Sequence, residues 1–593
     1  MKIIGSKFWG EDAALCVLDM EKGTIFAINS DRVSRIKKDN MDISPIVKNF
    51  KKEITGPDII AGPFCSFDGF DTCLENKGTS YFWLSFQNIL RLIEKPRYYS
   101  DVKRIKTFFE KVKILISVIF RPLFFWHFFL WKFYMKKYLN GEDLGYEFHK
   151  KYCTKYIEKL FEKVNFKKVK PIFYDHHTSH AASTYYLSSF FKNNQESFVF
   201  TLDQQGDHTF STLFKFKQKS KEEISRSFTK RVWMNNNFSI ISIATIYSLF
   251  TKTLGLRENC DEGKVEALAA YGKPDDETLK KLNEIIFVSK NQKFHFDSNK
   301  EKFLEHLNDE NLFKIMNNIG KENFSATIQF WLEEIVIEFL NLSLPKKEQV
   351  NLCLAGGVVA NVILNYKIFE RCNIKNLYIC PPMGDEGSAL GAALLAATEM
   401  KKNIDWIANY RMPYWGPSYN QEYVKKVLNK NKNKIKFEEF KNDWADRAAE
   451  SLLQNKIIGV FQNNMEFGPR ALGNRSILAS ATDPKMRDKI NLSIKKRPKY
   501  QPFCPAVLEE DREKLFLNSF QHKFMSTAFK MKTEFLDIYP SAAHIDGTAR
   551  PQFVEREDNE NLYKILKFIK QKIGHGILIN TSFNLHGRSM VMK

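Results

Sequence analysis

Short apolar runs separated by charged or glycine-containing breaks open the chain: Lys2-Ile-Ile-Gly, then Ala13-Ala-Leu-Cys-Val-Leu, then Gly23-Thr-Ile-Phe-Ala-Ile-Asn. Runs of this length and content predict strands, the first two forming a hairpin and the third following it. The same pattern returns at Ser197-Phe-Val-Phe-Thr-Leu, Val350-Asn-Leu-Cys-Leu-Ala and Leu377-Tyr-Ile-Cys. Apolar positions at helical spacing between these runs predict helices from Tyr152 to Val164, from Ala326 to Leu342 and from Ser388 to Met400. Strands followed by helices in this order imply an α/β fold. At Met412-Pro-Tyr-Trp-Gly-Pro-Ser the pattern breaks, and a new helical stretch and the strand-like Ile457-Ile-Gly-Val-Phe follow. The expectation is therefore a first unit over 1–411 and a second over 412–593. A chain of 593 residues is in any case too long for one core.

One region fits neither unit. Ile114 to Trp131 is largely apolar between lysines, but Arg121, Pro122 and His127 interrupt it. An arginine there costs about 2.5–3.5 kcal/mol in a membrane span. An insertion over about 80–150, packed on the body of the protein, is the first reading, and peripheral membrane contact through 114–137 is the second. The formal charge of +21 comes from 90 basic and 69 acidic residues, yet the lysines are scattered and no compact basic stripe interleaved with aromatics appears. No nucleic-acid partner is expected. The nine cysteines form no Cys-x-x-Cys pair and several lie in apolar runs, which predicts buried thiols in a reducing compartment. The amino terminus has no apolar run of signal-peptide length before Glu11 and Asp12, so a cytoplasmic location is expected.

The polar signatures carry the chemistry. In Asp175-His-His-Thr-Ser-His180, a helix start would set His176 and His180 four apart on one face, the spacing at which two imidazoles reach one metal ion. Asp203-Gln-Gln-Gly-Asp207 closes a strand, and Pro381-Pro-Met-Gly-Asp385 lies in a turn before an alanine-rich helix. Two histidines with Asp203 and Asp385 suit Fe(II), Mn or Zn. The turn Gly356-Gly357 with Asn361 leaves a strand and enters a helix, where backbone amides and the helix dipole can hold phosphate, although such a turn also serves plain packing. Asp261-Glu-Gly-Lys264 is a dense polar turn. In the second unit Glu466-Phe-Gly-Pro-Arg470-Ala-Leu-Gly-Asn-Arg475-Ser476 offers guanidinium donors on flexible backbone, joined by Lys495-Lys496-Arg497, Arg550 and Asn580-Thr581-Ser582-Phe-Asn584. These groups suit phosphate or carboxylate oxygens.

Together and in this order, the motifs resemble the O-carbamoyltransferase family that includes nodulation-factor and antibiotic carbamoyltransferases, and the resemblance spans nearly the whole chain. It implies a duplicated α/β domain of the actin and sugar-kinase superfamily followed by a YrdC-like α/β domain. It also implies that the second domain turns ATP, with Mg, and carbamoyl phosphate into carbamoyl-adenylate and pyrophosphate. The first domain would then carbamoylate a hydroxyl of a small-molecule, sugar or natural-product acceptor. Carried over by position, His176, His180, Asp203 and Asp385 would hold an iron-type divalent metal. Gly356, Gly357 and Asn361 would line a nucleotide site. Asp12, Asp261 and Lys264 would act in catalysis, with Asp261 in substrate handling or as general base. Arg470, Arg475, Ser476, Lys496, Arg497, Arg550, Asn580, Thr581, Ser582 and Asn584 would cradle carbamoyl phosphate and ATP.

The sequence departs from the family pattern at two places. Glu11-Asp12 stands where members usually carry His-Asp, and the chain stops soon after Asn584, which implies a clipped second domain. Two alternatives stay open: an enzyme of the tRNA threonylcarbamoyladenosine type, and a nucleotide-binding or membrane-peripheral protein without transferase activity. Neither the acceptor nor the oligomeric state is legible.

Overall fold

A computed structural model describes residues 1–8, 12–37, 43–63, 171–234, 237–296, 306–440, 444–585 and 587–593, with Thr154, Ile157, Glu158 and Phe161 from the stretch between. The insertion over 80–150, the stretch 114–137 and Glu11 lie outside the described residues.

The opening hairpin forms as its pattern predicts: β1 (Lys2–Lys7) pairs antiparallel with β2 (Ala14–Asp19), and β2 with β3 (Thr24–Asn29). Strands β4 (Ile59–Pro63) and β5 (Pro171–Tyr174) then add in parallel, giving the order β3-β2-β1-β4-β5. Alternate residues feed opposite faces. Ile3, Ala14, Cys16 and Leu18 join one core, and Ile4, Leu15 and Val17 another. A sheet covered on both sides accounts for strands that read as continuous apolar runs.

The same plan recurs further along. β6 (Ser197–Gly206), β7 (Thr209–Lys217) and β8 (Ser220–Phe228) make an antiparallel meander, and β9 (Val350–Ala355) and β10 (Ile374–Ile379) extend it in parallel, in the order β8-β7-β6-β9-β10. Each sheet is followed by a helix: α1 (His176–Leu187) leaves β5, and a later helix, α6 (Asp385–Glu399), leaves β10. This is the duplicated α/β architecture that the resemblance implies, although no short sequence repeat announces it.

Helices α1 and α6 pack against each other between the two sheets, in a core of Ala181, Ala182, Tyr185, Ala389, Ala393 and Ala397 among others. The approach is close: a Cβ on Gly391 would lie 1.7 Å from Ser179 O, and one on Gly5 would lie 1.9 Å from Ala389 O. Helices α2 (Ile243–Thr253), α3 (Glu262–Ala269), α4 (Lys321–Ser343) and α5 (Val362–Arg371) belong to the outer side of the second sheet, where Phe250, Val265, Trp331 and Leu364 share a core with Phe200 and Leu354.

Beyond Met412 a short exposed helix, α7 (Gln421–Lys430), precedes a third sheet. Its strands β11 (Ile458–Phe461), β12 (Arg475–Ser480), β13 (Cys504–Leu508), β14 (Gln552–Val554) and β15 (Ile577–Ser582) run in the order β11-β12-β15-β13-β14, antiparallel except for β13 with β14. Helices α8 (Trp444–Leu453) and α9 (Glu560–Ile573) cover one face of it. The last residues return to the first unit. Met590 and Met592 share a core with Ile4, Phe8 and Leu15, and Ser589 Oγ donates to Asp31 O. Among the described residues no helix is long and apolar enough to cross a membrane.

Candidate functional site

Asp175 caps α1 by accepting from Thr178 N at 2.7 Å, and Arg226 holds the same carboxylate at 3.0 Å. The cap fixes where the helix begins, so His176 and His180 fall one turn apart on the face toward α6 and the end of β6. His180 Nε2 lies 3.0 Å from His176 Nε2, 3.1 Å from Asp203 Oδ2 and 3.3 Å from Asp385 Oδ1. His176 Nε2 lies 3.4 Å from Asp203 Oδ2 and 3.3 Å from Asp385 Oδ1. Four ligand atoms, each about 2.1 Å from a shared ion, stand roughly 3.0–3.5 Å apart, so the quartet fits a single divalent cation.

The electrostatics agree with that fit. Burial disfavours charge on His176, yet Asp385 and Asp203 together push it up to about 10, while Asp203 and Asp385 sit well below the usual carboxylate range despite burial. Two buried carboxylates facing two imidazole nitrogens call for positive charge between them. The buried Nδ1 atoms of His176 and His180 have no hydrogen-bond partner among the described residues. His177 points away, bonded to Thr201 Oγ1 at 2.6 Å and Thr209 O at 3.0 Å. Gly206 lets His176 seat, since a Cβ there would come 2.1 Å from the imidazole. Asp385 is the partly exposed member of the quartet, at 27% against 10% or less for the other three, so the cluster opens on its side.

Lys7, at the end of β1, holds the other oxygen of Asp385 at 2.7 Å and is 7% exposed. Sequence reading passed over it. Its signal is a charged residue ending an otherwise buried strand beside the first hairpin. Asp12 lies half-buried on that hairpin turn, between β1 and β2.

The Gly356-Gly357 turn borders the quartet: Gly356 adopts φ +105°, where a Cβ would lie 2.3 Å from Leu202 O, and a Cβ on Gly357 would lie 3.0 Å from Asp203 Oδ1. The helix it enters offers no free end to a phosphate. Glu266 Oε1 accepts from Val362 N at 3.0 Å and Ile363 N at 3.1 Å, and Asn361 Oδ1 accepts from Leu364 N at 2.9 Å. The Asn361 amide is also paired with Gln329 through two hydrogen bonds, at 2.8 and 3.2 Å. A side-chain carboxylate thus occupies the anion position expected for a ligand. Asp261 and Lys264 form a 3.0 Å ion pair, and Asp261 also accepts from Arg257 N at 3.1 Å. Burial opposes charge on Asp261, but Lys264 and Arg257 hold its pKa below the ordinary value, which suits a fixed anion better than a general base.

The second unit sorts its polar residues into two groups. Arg475 is fully buried and its guanidinium donates to Asn474 O at 3.0 Å, Pro417 O at 3.2 Å, Asn463 O at 3.3 Å and Gln462 O, over the ring of Phe461. Both of its terminal nitrogens are spent on backbone carbonyls, so Arg475 ties the loop. Ser476 Oγ likewise accepts from Gly473 N at 3.0 Å, and Glu466 Oε1 gathers Leu472 N, Asn474 N and Arg475 N.

The other group gathers cations near one another, some of them buried. Lys496 is exposed, in the left-handed region at φ 47°, and Lys495 is the buried lysine, donating to Asn584 Oδ1 at 2.8 Å, Ser582 Oγ at 3.2 Å and Ser582 O. The spacing Lys-x-Arg facing Ser-x-Asn could have pointed to Lys495. Arg497 donates to Asn491 Oδ1 at 2.6 Å and lies over Phe503. Burial, then Arg497 and Lys37, push Lys495 down to about 7; burial, and further on Arg550, push Arg497 down to about 10. Arg470 lies near Arg550, donates to Ala360 O at 3.3 Å and has a buried Nε without a partner. An anion placed among cations crowded this way would relieve both their repulsion and their loss of solvent. Asn580 Oδ1 is buried and unpartnered, and Thr581 is half-buried on the same strand.

The two units touch. A Cβ on Gly468 would lie 3.0 Å from Pro381 O in the turn that carries Asp385, Arg32 donates to Gly468 O at 2.8 Å, and Ala528 N donates to Val362 O at 3.1 Å. A cavity of about 200 Å³ lies between the units, bordered by Glu266, Gln329 and Glu333 on one side and Phe503, Asp546 and Arg550 on the other.

Comparison with known proteins places this geometry. Residues 133–394 match the family described as carbamoyltransferase N-terminus and residues 449–593 the one described as carbamoyltransferase C-terminus. An uncharacterized protein, MJ1058, of Methanocaldococcus jannaschii is 44% identical over 602 residues, covering 100% of this chain and 95% of the relative. Nodulation protein NolO of Bradyrhizobium diazoefficiens is 31% identical over 427 residues, covering 71% of this chain and 74% of the relative. Nodulation protein NolNO of Sinorhizobium fredii is 31% identical over 422 residues, covering 70% of this chain and 59% of the relative. With both family regions matched in order, and its polar residues gathered into a four-ligand cluster and a cationic pocket, this chain belongs to the carbamoyltransferase family and is a transferase of carbamoyl groups.

Proposed function

We propose that the two sites run two half-reactions of O-carbamoyl transfer. In the second unit, ATP with Mg and carbamoyl phosphate give carbamoyl-adenylate. Atom balance requires water to enter and inorganic phosphate to leave with pyrophosphate: carbamoyl phosphate gives up phosphate, and the carbamate oxygen displaces pyrophosphate from the α-phosphorus. The observation that carries this reading is the gathering of Lys495, Arg497, Arg550 and Arg470, whose mutual repulsion and burial a bound phosphate would relieve. Their donors would offset charge on the phosphates and on the leaving pyrophosphate.

In the first unit a hydroxyl of a sugar, oligosaccharide or other small acceptor would attack the carbamoyl carbon, AMP would leave, and the hydroxyl proton would pass to a base. His176, His180, Asp203 and Asp385 would hold Fe(II) or a similar divalent ion. Such an ion supplies Lewis-acid polarisation of nearby oxygens when bound. Lys7 fixes Asp385, and Asp175 and Asp207 fix the start of α1, Asp207 by accepting from His176 N at 2.8 Å. Asp12 is the candidate proton acceptor, because Asp261 is held as a paired anion. The units meet through the Gly468 loop and the shared cavity, which supports direct passage of the adenylate from one site to the other.

The test is pyrophosphate release from ATP by the purified chain, with no acceptor added. Release that depends strictly on carbamoyl phosphate is expected. Absence of release from folded protein would overturn the adenylation step.

A further inference from the structure

Helix α7 has no buried residue, which is unusual for a helix of ten residues with an apolar stripe. Tyr423, Val424 and Val427 share that stripe at 39–45% exposure, and Ile435, Phe437, Phe440 and Phe461 are exposed to a similar degree. These positions are linked. The Tyr419 ring contacts those of Tyr423, at 5.1 Å, and Phe461, at 6.0 Å, and a 2.6 Å ion pair from Lys425 to Glu439 draws the stretch 431–440 alongside α7. Phe461 ends β11, the edge strand of the third sheet. Tyr419, Tyr423 and Phe461 therefore form one connected patch, continued along α7 by Val424 and Val427, with Ile435, Phe437 and Phe440 exposed on the stretch beside it.

Lysines frame that face. Lys425, Lys426, Lys430, Lys432, Lys434 and Lys436 are all exposed, against three acids, Glu422, Glu438 and Glu439. The region lies outside both family matches, which end at 394 and resume at 449, so it is not part of what the family descriptions cover. We propose that α7, residues 431–440 and the end of β11 form a docking surface for an anionic phospholipid membrane. Apolar side chains of this size enter the headgroup boundary while the lysines meet lipid phosphates, each lysine contributing about 1 kcal/mol near a charged surface. A second copy is the poorer occupant, because a two-fold contact would set one lysine-rich face against another. Nucleic acid accounts for the lysines but not for exposed Val424, Val427 and Ile435.

The test is co-sedimentation of the full chain with phosphatidylcholine vesicles that contain about one third phosphatidylglycerol, at about 0.1 M salt, where charges act over about 10 Å. The chain is expected to pellet with these vesicles, not with phosphatidylcholine alone, and to be released in about 1 M salt, where that range falls to about 3 Å. The double variant Val424→Asp/Val427→Asp and the triple variant Lys432→Glu/Lys434→Glu/Lys436→Glu should each lower vesicle affinity about tenfold or more. Carbamoyl-phosphate-dependent pyrophosphate release should stay unchanged in both. No binding, or equal binding to neutral vesicles, would overturn the proposal. So would capture of structured RNA in place of vesicles, or a dimer abolished by the double variant.

Discussion

Lys495 and Arg475 are buried cations of one unit, set apart by the charges beside them. Arg475 donates to backbone carbonyls on several sides, whereas Lys495 shares its pocket with other cations. The folded pKa of Lys495, about 7, lies below the unfolded value of about 10.4, so between these values the unfolded chain binds the extra proton. The unliganded protein therefore gains stability as pH rises through that window, and the full penalty stands below it. An anion reverses the preference. Nucleotide binding at pH 8 should take up close to one proton and weaken toward pH 9, measured by calorimetry in buffers of different ionisation enthalpy. Lys495→Arg should abolish the uptake. Arg475→Lys should instead cost about 1–3 kcal/mol of stability for each carbonyl left unsatisfied, read by thermal melting, with the KM for ATP unchanged. His180→Ala should lose bound metal and more than about 100-fold of carbamoyl transfer, with carbamoyl-phosphate-dependent pyrophosphate release retained.

At the scale of elements, the quartet depends on how closely α1 and α6 approach. Gly391→Ala would force a methyl group toward Ser179 O and push His180 and Asp385 apart. The expected cost is about 1–3 kcal/mol in stability together with lost metal content, measured by melting and by elemental analysis of the purified variant. Much of this level was legible. The first hairpin and the strands at 197, 350 and 377 follow from their apolar runs, and the one-face placement of His176 and His180 from their i, i+4 spacing. What was not legible depends on partners distant in sequence. Asn361 reads as a ligand-facing residue until Gln329 and Glu266 arrive from other helices, and Lys495 and Lys496 are equivalent in sequence until the backbone turns one inward. Lys7 was hidden for the same reason, since its partner Asp385 is 378 residues away.

The whole molecule is joined along more than one seam. Arg32 reaches Gly468, Asn365 Nδ2 donates to Ser526 O at 2.7 Å, and Val362, Tyr366 and Ala528 share a small core. Scanning calorimetry should therefore record a single unfolding transition, and deleting residues 589–593 should broaden or split it. The contact between Ser589 and Asp31 spans 558 positions of sequence, and Met590 and Met592 lie among side chains from the first two strands. During synthesis the outer core of the first sheet lacks Met590 and Met592 until residues 589–593 have been made. A nascent chain that has not reached residue 589 would present Ile4, Phe8 and Leu15 to chaperones and proteases, so the return of residues 589–593 doubles as a check on manufacture.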